Sequence, residues 1–233
     1  MKTILLKFAG PLQSWGTGSQ FESRSTDRYP SKSAVIGILA ASLGYPRDDS
    51  RIKKLNQLYF AVRIDQPGEW LNDYHIAQQF KPNGQLGQVY VTNRQYLQDA
   101  IFVVAVGSDD EELVKKLERG LKNPYFQPFL GRRSNPLTAD YFIGIENQDA
   151  ITCLKNLEWQ ASDWYKQKNR GRVILPIYAD AYLLGNSTAV MIRDKVLSFS
   201  QKERRHGYRA VARKDIVLKS LEIGGTHDAF NAF

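Results

Sequence analysis

The sequence predicts an α+β fold: a ferredoxin-like unit wound like an RNA-recognition motif (RRM-like), followed by a smaller C-terminal β-rich unit. Three observations carry this. Segments between Thr3 and Ile145 alternate as strand, helix, strand, strand, helix, strand. A long polar stretch separates the two middle strands. Beyond Gln148, the runs Arg172 to Tyr178 and Ile216 to Ile223 read as strands. The expected units are residues 1–147, with an insertion at about 73–96, and residues 148–233.

The elements follow in order. Thr3 to Phe8 is a short buried strand that stops at Ala9-Gly10-Pro11, where Gly and Pro forbid continuation. Ser31 or Ser33 caps a helix over Ala34 to Leu43, ended by Gly44 with Pro46 beyond. That helix is apolar almost all round and must be buried on more than one side. A short helix follows Asp48-Asp49-Ser50, with Ile52, Leu55 and Leu58 on one face. Tyr59 to Ile64 and Ile101 to Val106 are strands, the second β-branched at its centre. Between them, Lys81-Pro82-Asn83-Gly84 and Leu86-Gly87 signal turns, and Val89 to Thr92 reads as one arm of a projecting hairpin. Asp109 or Asp110 caps a helix with the apolar stripe Leu113, Val114, Leu117 and Leu121, stopped by Pro124. Tyr141 to Ile145 is the fourth strand.

The 233 residues are 42% hydrophobic and 12% aromatic, sufficient for a real core. A formal net charge of +8 and a pI near 9.5 favour polyanionic partners, because each Lys or Arg that meets a phosphate releases counterions. The single cysteine, Cys153, cannot form an internal disulfide and sits in an apolar context, as a buried small hydrophobe would. No run reaches about 18 apolar residues, so no membrane span is expected. Met1-Lys2-Thr3 opens directly into a strand, not a signal peptide, and the expected location is cytoplasmic.

The three histidines, His75, His206 and His227, lie far apart with no partner at ligand spacing, and no metal or cofactor is expected. Gly16 and Gly18 lack the later Gly and Lys of a phosphate-binding loop. Metal-free RNA cleavage has candidates in His206, Tyr208 and Lys202 with Arg204 and Arg205. The same stretch also reads as a solvated basic surface touching phosphates. His75 suits stacking, hydrogen bonding or a structural role. Trp15, between small residues, either stacks on an unpaired base, worth ~1–3 kcal/mol, or caps the core. Arg24, Arg28 and Lys32 flank the first loop, while Lys81 and Arg94 lie on the insertion. Arg132, Arg133 and Ser134 follow Gly131 in a turn whose amides can face a phosphate. A third basic cluster is Lys166, Lys168, Arg170 and Arg172. A fourth, from Arg193 to Lys219, holds nine Lys or Arg against three acids.

Leu6-Lys7-Phe8-Ala9-Gly10-Pro11-Leu12-Gln13-Ser14-Trp15-Gly16 resembles the opening of the CasD family, a CRISPR-associated subunit of type I-E Cascade. So do Phe21-Glu22, Arg28-Tyr29-Pro30-Ser31-Lys32-Ser33, Arg47-Asp48-Asp49, Phe60-Ala61-Val62-Arg63 and Asp73-Tyr74-His75. Arg94 to Ala100 and Pro124 to Ser134, completed by Pro136-Leu137, continue the match in the same order. The resemblance implies a ferredoxin-like RAMP body with a protruding thumb hairpin where the insertion lies. It implies one copy at the foot of Cascade, gripping the 5′ handle of the crRNA for antiviral defence. Neighbours would be the backbone subunit and the large subunit, and through the latter, target DNA. No small-molecule substrate and no cutting are implied. A related type I-C branch does cut RNA, with a Tyr/Lys/His set that has no assigned counterpart here. By this resemblance Arg132, Arg133 and the Trp15-Gly16 loop hold the handle.

Overall fold

A computed structural model describes residues 1–18, 23–171, 173–185 and 187–218. Phe21-Glu22, Arg172, Lys219, His227 and the end of the strand expected through Ile223 lie outside the described residues. β1 (Lys2–Ala9) ends before Gly10-Pro11, and β2 (Leu12–Gln13) and β3 (Ser23–Arg24) are two-residue strands. α1 (Lys32–Ser42) starts at Ser31, whose side chain accepts a hydrogen bond from the Ala34 amide, and stops at Gly44, φ 72°. α2 (Arg51–Lys54) and the 3-10 turn after it bury Ile52, Leu55 and Leu58 together, as their spacing predicts. β4 (Tyr59–Gln66), β5 (Glu69–Phe80), β6 (Leu86–Gln98) and β7 (Ile101–Ser108) follow. Asp110 caps α3 (Glu111–Lys122), which buries Val114, Leu117 and Leu121. β8 (Phe142–Glu146) closes the expected strand–helix order.

Seven strands form one sheet in the order β10-β11-β9-β4-β7-β1-β8, where β9 (Val173–Asp180), β10 (Ala189–Ser198) and β11 (Arg205–Leu218) come last in the chain. The residues expected to make a smaller second unit therefore extend the first unit's sheet. Ala61 pairs with Ala179 and Arg63 with Ile177, so β9 satisfies the edge of β4 that would otherwise stand open. Two helices in this region, α4 (Ala150–Asn156) and α5 (Asp163–Lys168), were not legible as such in the sequence.

Side chains alternate between two cores. Ile4, Leu6, Phe8, Phe60, Val62, Phe102 and Val104 pack beneath α1 and α3. Leu5, Ala61, Val103, Ala105, Leu175 and Ile177 pack against α4, which carries buried Cys153. Covering both faces explains why β4 and β7 read as continuous apolar runs. It also closes the sheet face on which an RNA-recognition motif would stack bases.

Among the buried cations, Arg63 ties a helix to the sheet. Arg63 is fully buried and pairs with both oxygens of Asp65 at 2.7 Å. Its remaining N–H groups donate to the carbonyls of Leu154, Leu157 (2.7 Å) and Glu158 (2.8 Å). The C-terminus of α4 is thereby bolted to β4, with every guanidinium donor direction used.

The hairpin β5–β6 leaves the body where the β4–β7 ladder breaks. That ladder ends at Gln66↔Ile101 and the next begins at Glu69↔Gln98. Pro67 has no N–H to donate, and Asp99 takes φ 55°, anchored by Gln66 Nε2 on its carbonyl at 2.6 Å. Twelve residues of β5 then span roughly 40 Å.

Candidate nucleic-acid interface

Four of the arginines singled out in the sequence meet at the base of this hairpin. β3 pairs in parallel with β6, placing Arg24 beside Arg94. The loop between α3 and β8, residues 129–136, folds onto the same place. Its ends are closed by Phe129↔Pro136, and Asn135, itself buried, donates to the Leu130 carbonyl at 3.3 Å. Gly131 has φ 81°, and a Cβ there would lie 1.6 Å from the Ser14 carbonyl oxygen, so only glycine lets this loop rest on the N-terminal loop.

Arg132 then reaches under the hairpin. Its Nη2 donates to the Arg24 and Gln95 carbonyls, both at 3.0 Å, and its guanidinium lies 4.1 Å from the Tyr96 ring centroid. Arg132 is thus a brace as well as a charge. Its Nη1 and the Nε of Arg94 are buried and unpartnered. Arg133 and Ser134 are exposed beside them, and Gly16 is exposed in the adjoining loop. His75 lies on the Arg94 face, two pairing steps further out along β5, opposite Thr92. Lys81 is exposed at the far tip of the hairpin, remote from the arginines.

Two assigned contacts are corrected. Trp15 is 1% exposed, stacked on Phe8 at 5.6 Å, with Nε1 donating to Gln13 Oε1 at 3.1 Å. No face of its ring is open to a base, so of its two readings it is the core cap. Lys32 is 4% exposed and its Nζ pairs with Asp180 at 3.0 Å. Burial pushes this ammonium down, opposed by Asp180. It belongs to a closed network with Arg209, which bonds Asp180 Oδ1 at 2.8 Å and Asp194 at 2.7 and 2.8 Å. The Lys32 amide also donates to Asp194 at 2.9 Å. The network holds the start of α1 to β9, β10 and β11, and it removes Lys32 and Arg209 from the cations available to a ligand. Sequence reasoning missed it because Asp194, between Arg193 and Lys195, looks like an ordinary surface acid, and nothing local links it to Asp180 or Lys32.

Arg204 and Arg205 are exposed where β11 begins, Arg205 beside Glu203 at 3.3 Å. His206 packs 6.0 Å from the Phe199 ring with its Nε2 buried and unpartnered. Burial, then Arg204 and Arg193, hold its imidazole below the usual range. Arg28 is exposed on a separate groove. Among the described residues no cluster of His, Cys, Asp and Glu is built to hold a metal ion. No described helix is long and apolar enough to cross a membrane.

Comparison with known proteins identifies the family. The family described as CRISPR-associated protein (Cas_Cas5) matches residues 3–212. The chain belongs to the Cas5 family. It is 34% identical over 182 residues to the CRISPR system Cascade subunit CasD of Escherichia coli (strain K12), covering 71% of this chain and 81% of that protein. A chain of a solved CRISPR RNA-guided surveillance complex superposes with a TM-score of 0.76 at 28% identity, covering 93% of this chain and 91% of that one. The crystal structure of a Cas protein superposes at 0.64, also at 28% identity, covering 94% and 95%. The resemblance read from the first 137 residues is therefore shown by family membership across both the N-terminal region and the added strands.

Proposed function

We propose that this Cas5-family protein is a non-catalytic subunit of Cascade that grips the 5′ handle of crRNA with the base of its hairpin. The hairpin acts as the thumb of a ferredoxin-like body, a reading supported by the β8-β1-β7-β4 strand order. The carrying observation is the convergence of Arg24, Arg94, Arg132 and Arg133 from three separate segments, with two guanidinium nitrogens left unpartnered. Unsatisfied buried donors of that kind are what phosphate oxygens fill. The same arm exposes Tyr74, Ile76, Phe80, Val89 and Val91, an apolar face suited to the neighbouring backbone subunit. The large subunit and, through it, target DNA complete the partners, and the work is cytoplasmic.

Cleavage, the alternative, lacks support in the geometry. His206 hides Nε2 from solvent, whereas Tyr208 is 63% exposed, so they do not present an acid and a base to one ribose. The test is CRISPR repeat RNA incubated with the protein in chelator, with binding and cleavage read together. Intact RNA, and weaker binding by Arg24→Ala and Arg133→Ala, is expected. Each lost phosphate contact lowers the salt slope by about 0.7–0.9. Arg132→Ala also weakens the fold, since it loses two charge-assisted hydrogen bonds of ~1.5–3 kcal/mol each. Specific cutting, or unchanged affinity in Arg133→Ala, overturns the proposal.

A further inference from the structure

We infer that the protein has a second site for unpaired nucleotides, in the groove on the opposite face of the hairpin base from the arginine cluster. The inference rests on the RNA-binding reading and adds a separate surface to it. Trp70 and Leu97 are paired across β5 and β6, and so share one face of the hairpin. Tyr96, with Arg132 over it, and Arg94 are on the other. The Trp70 face opens onto a groove of about 1010 Å³ between the hairpin base, the α5 segment and the strands β9–β11. That volume is near the top of the range of roughly 300–1,000 Å³ for small-molecule sites, and this groove is an open trough, so it fits an extended ligand.

Its lining combines aromatic faces with unpaired cations. Trp70 is 47% and Tyr208 63% exposed, each with ring surface free for a base. Tyr29 and Tyr178, stacked on each other at 4.1 Å, also line the groove. Arg28 and Arg170 have no charged or hydrogen-bonding partner among the described residues. Arg193 is exposed and spends only its Nε, on the His206 carbonyl at 3.2 Å. Of the acids in the lining, Asp65 is paired with Arg63 and Asp194 with Arg209, and only Asp27, which accepts from the Thr17 amide at 3.0 Å, stands against the three arginines. The groove is therefore cationic in effect. Cations that track a backbone, beside aromatic rings that stack bases without regard to sequence, are the chemistry of single-strand binding. Paired bases have no face to offer Trp70 or Tyr208, so duplex RNA is excluded by the same geometry.

The experiment uses the full chain with a labelled single-stranded repeat RNA and a hairpin-only duplex RNA of equal length. Trp70→Ala, Tyr208→Ala and Arg170→Ala are compared with Arg133→Ala, after confirming unchanged unfolding midpoints. A lost base stack of ~1–3 kcal/mol corresponds to a roughly 5- to 150-fold weaker Kd, and that loss is expected for Trp70→Ala and Tyr208→Ala on single-stranded RNA only. Crosslinks from 4-thiouridine RNA to groove residues are expected as well. If the groove variants bind like wild type while Arg133→Ala is weakened, the second site is overturned and the arginine cluster stands. If neither set matters, both fall. Equal losses on duplex and single-stranded RNA also overturn the inference, since they reveal charge without stacking.

Discussion

Replacing Asp194 by alanine removes three hydrogen bonds from a site that is 1% exposed: two from Arg209 and one from the Lys32 amide. Two cations, Lys32 and Arg209, then share Asp180 alone, and the buried network changes from neutral to a net +1. Deleting one partner of a buried pair costs about 3–5 kcal/mol, because the remaining charge is stranded away from water. At about 2–4 °C per kcal/mol for a chain of this size, Tm falls by roughly 6–20 °C. Asp215 provides the internal control. It also pairs with an arginine, Arg213, at 2.8 and 3.0 Å, but both side chains are about half exposed. Its loss is worth about 0–1 kcal/mol, a few degrees at most. Thermal and urea unfolding of the two variants, side by side, measure the difference. Similar shifts for Asp194→Ala and Asp215→Ala would refute the claim that burial makes this network a structural bolt.

Trp15→Ala lowers stability by about 3–5 kcal/mol, read as the urea midpoint, by leaving a cavity against Phe8. Trp15→Phe retains wild-type RNA affinity, and a selective loss of binding in that variant contradicts the buried placement. His206 supplies the pH dependence. Its folded pKa lies below the ordinary 6.5, so only the unfolded chain takes up a proton as pH falls from 6.5 toward the folded value. Stability is full above pH 6.5 and declines through that window. His206→Gln flattens the decline in urea midpoints between pH 7.5 and 5.5, and identical profiles for the two proteins argue against it.

Local signals carried most of the first 146 residues. Ser31, Gly44 and Asp110 mark helix ends by chemistry that acts within one turn, so they are legible without knowing the fold. The apolar stripe of α3 is equally local. The candidate site was legible in part, since Arg24, Arg94, Arg132 and Arg133 stand in polar loops or next to turn signals. Trp15 was ambiguous because a loop aromatic has the same sequence context whether it faces solvent or Phe8. α4 was hidden by its brevity: seven residues offer barely two turns of periodicity.

By itself, then, the sequence determined the strand and helix order of the body, the projecting arm, the positive charge and the family. Each depends on propensity, patterning or motif order within short windows. Only the tertiary structure decided which cations are available to a ligand. Lys32, Arg63 and Arg209 look no different in sequence from Arg28, Arg133 and Arg170. They differ because Asp65, Asp180 and Asp194, close or distant along the chain, meet them in the core. Burial converts a charge from a solvated contact into a structural tie, and burial is a property of the packed chain.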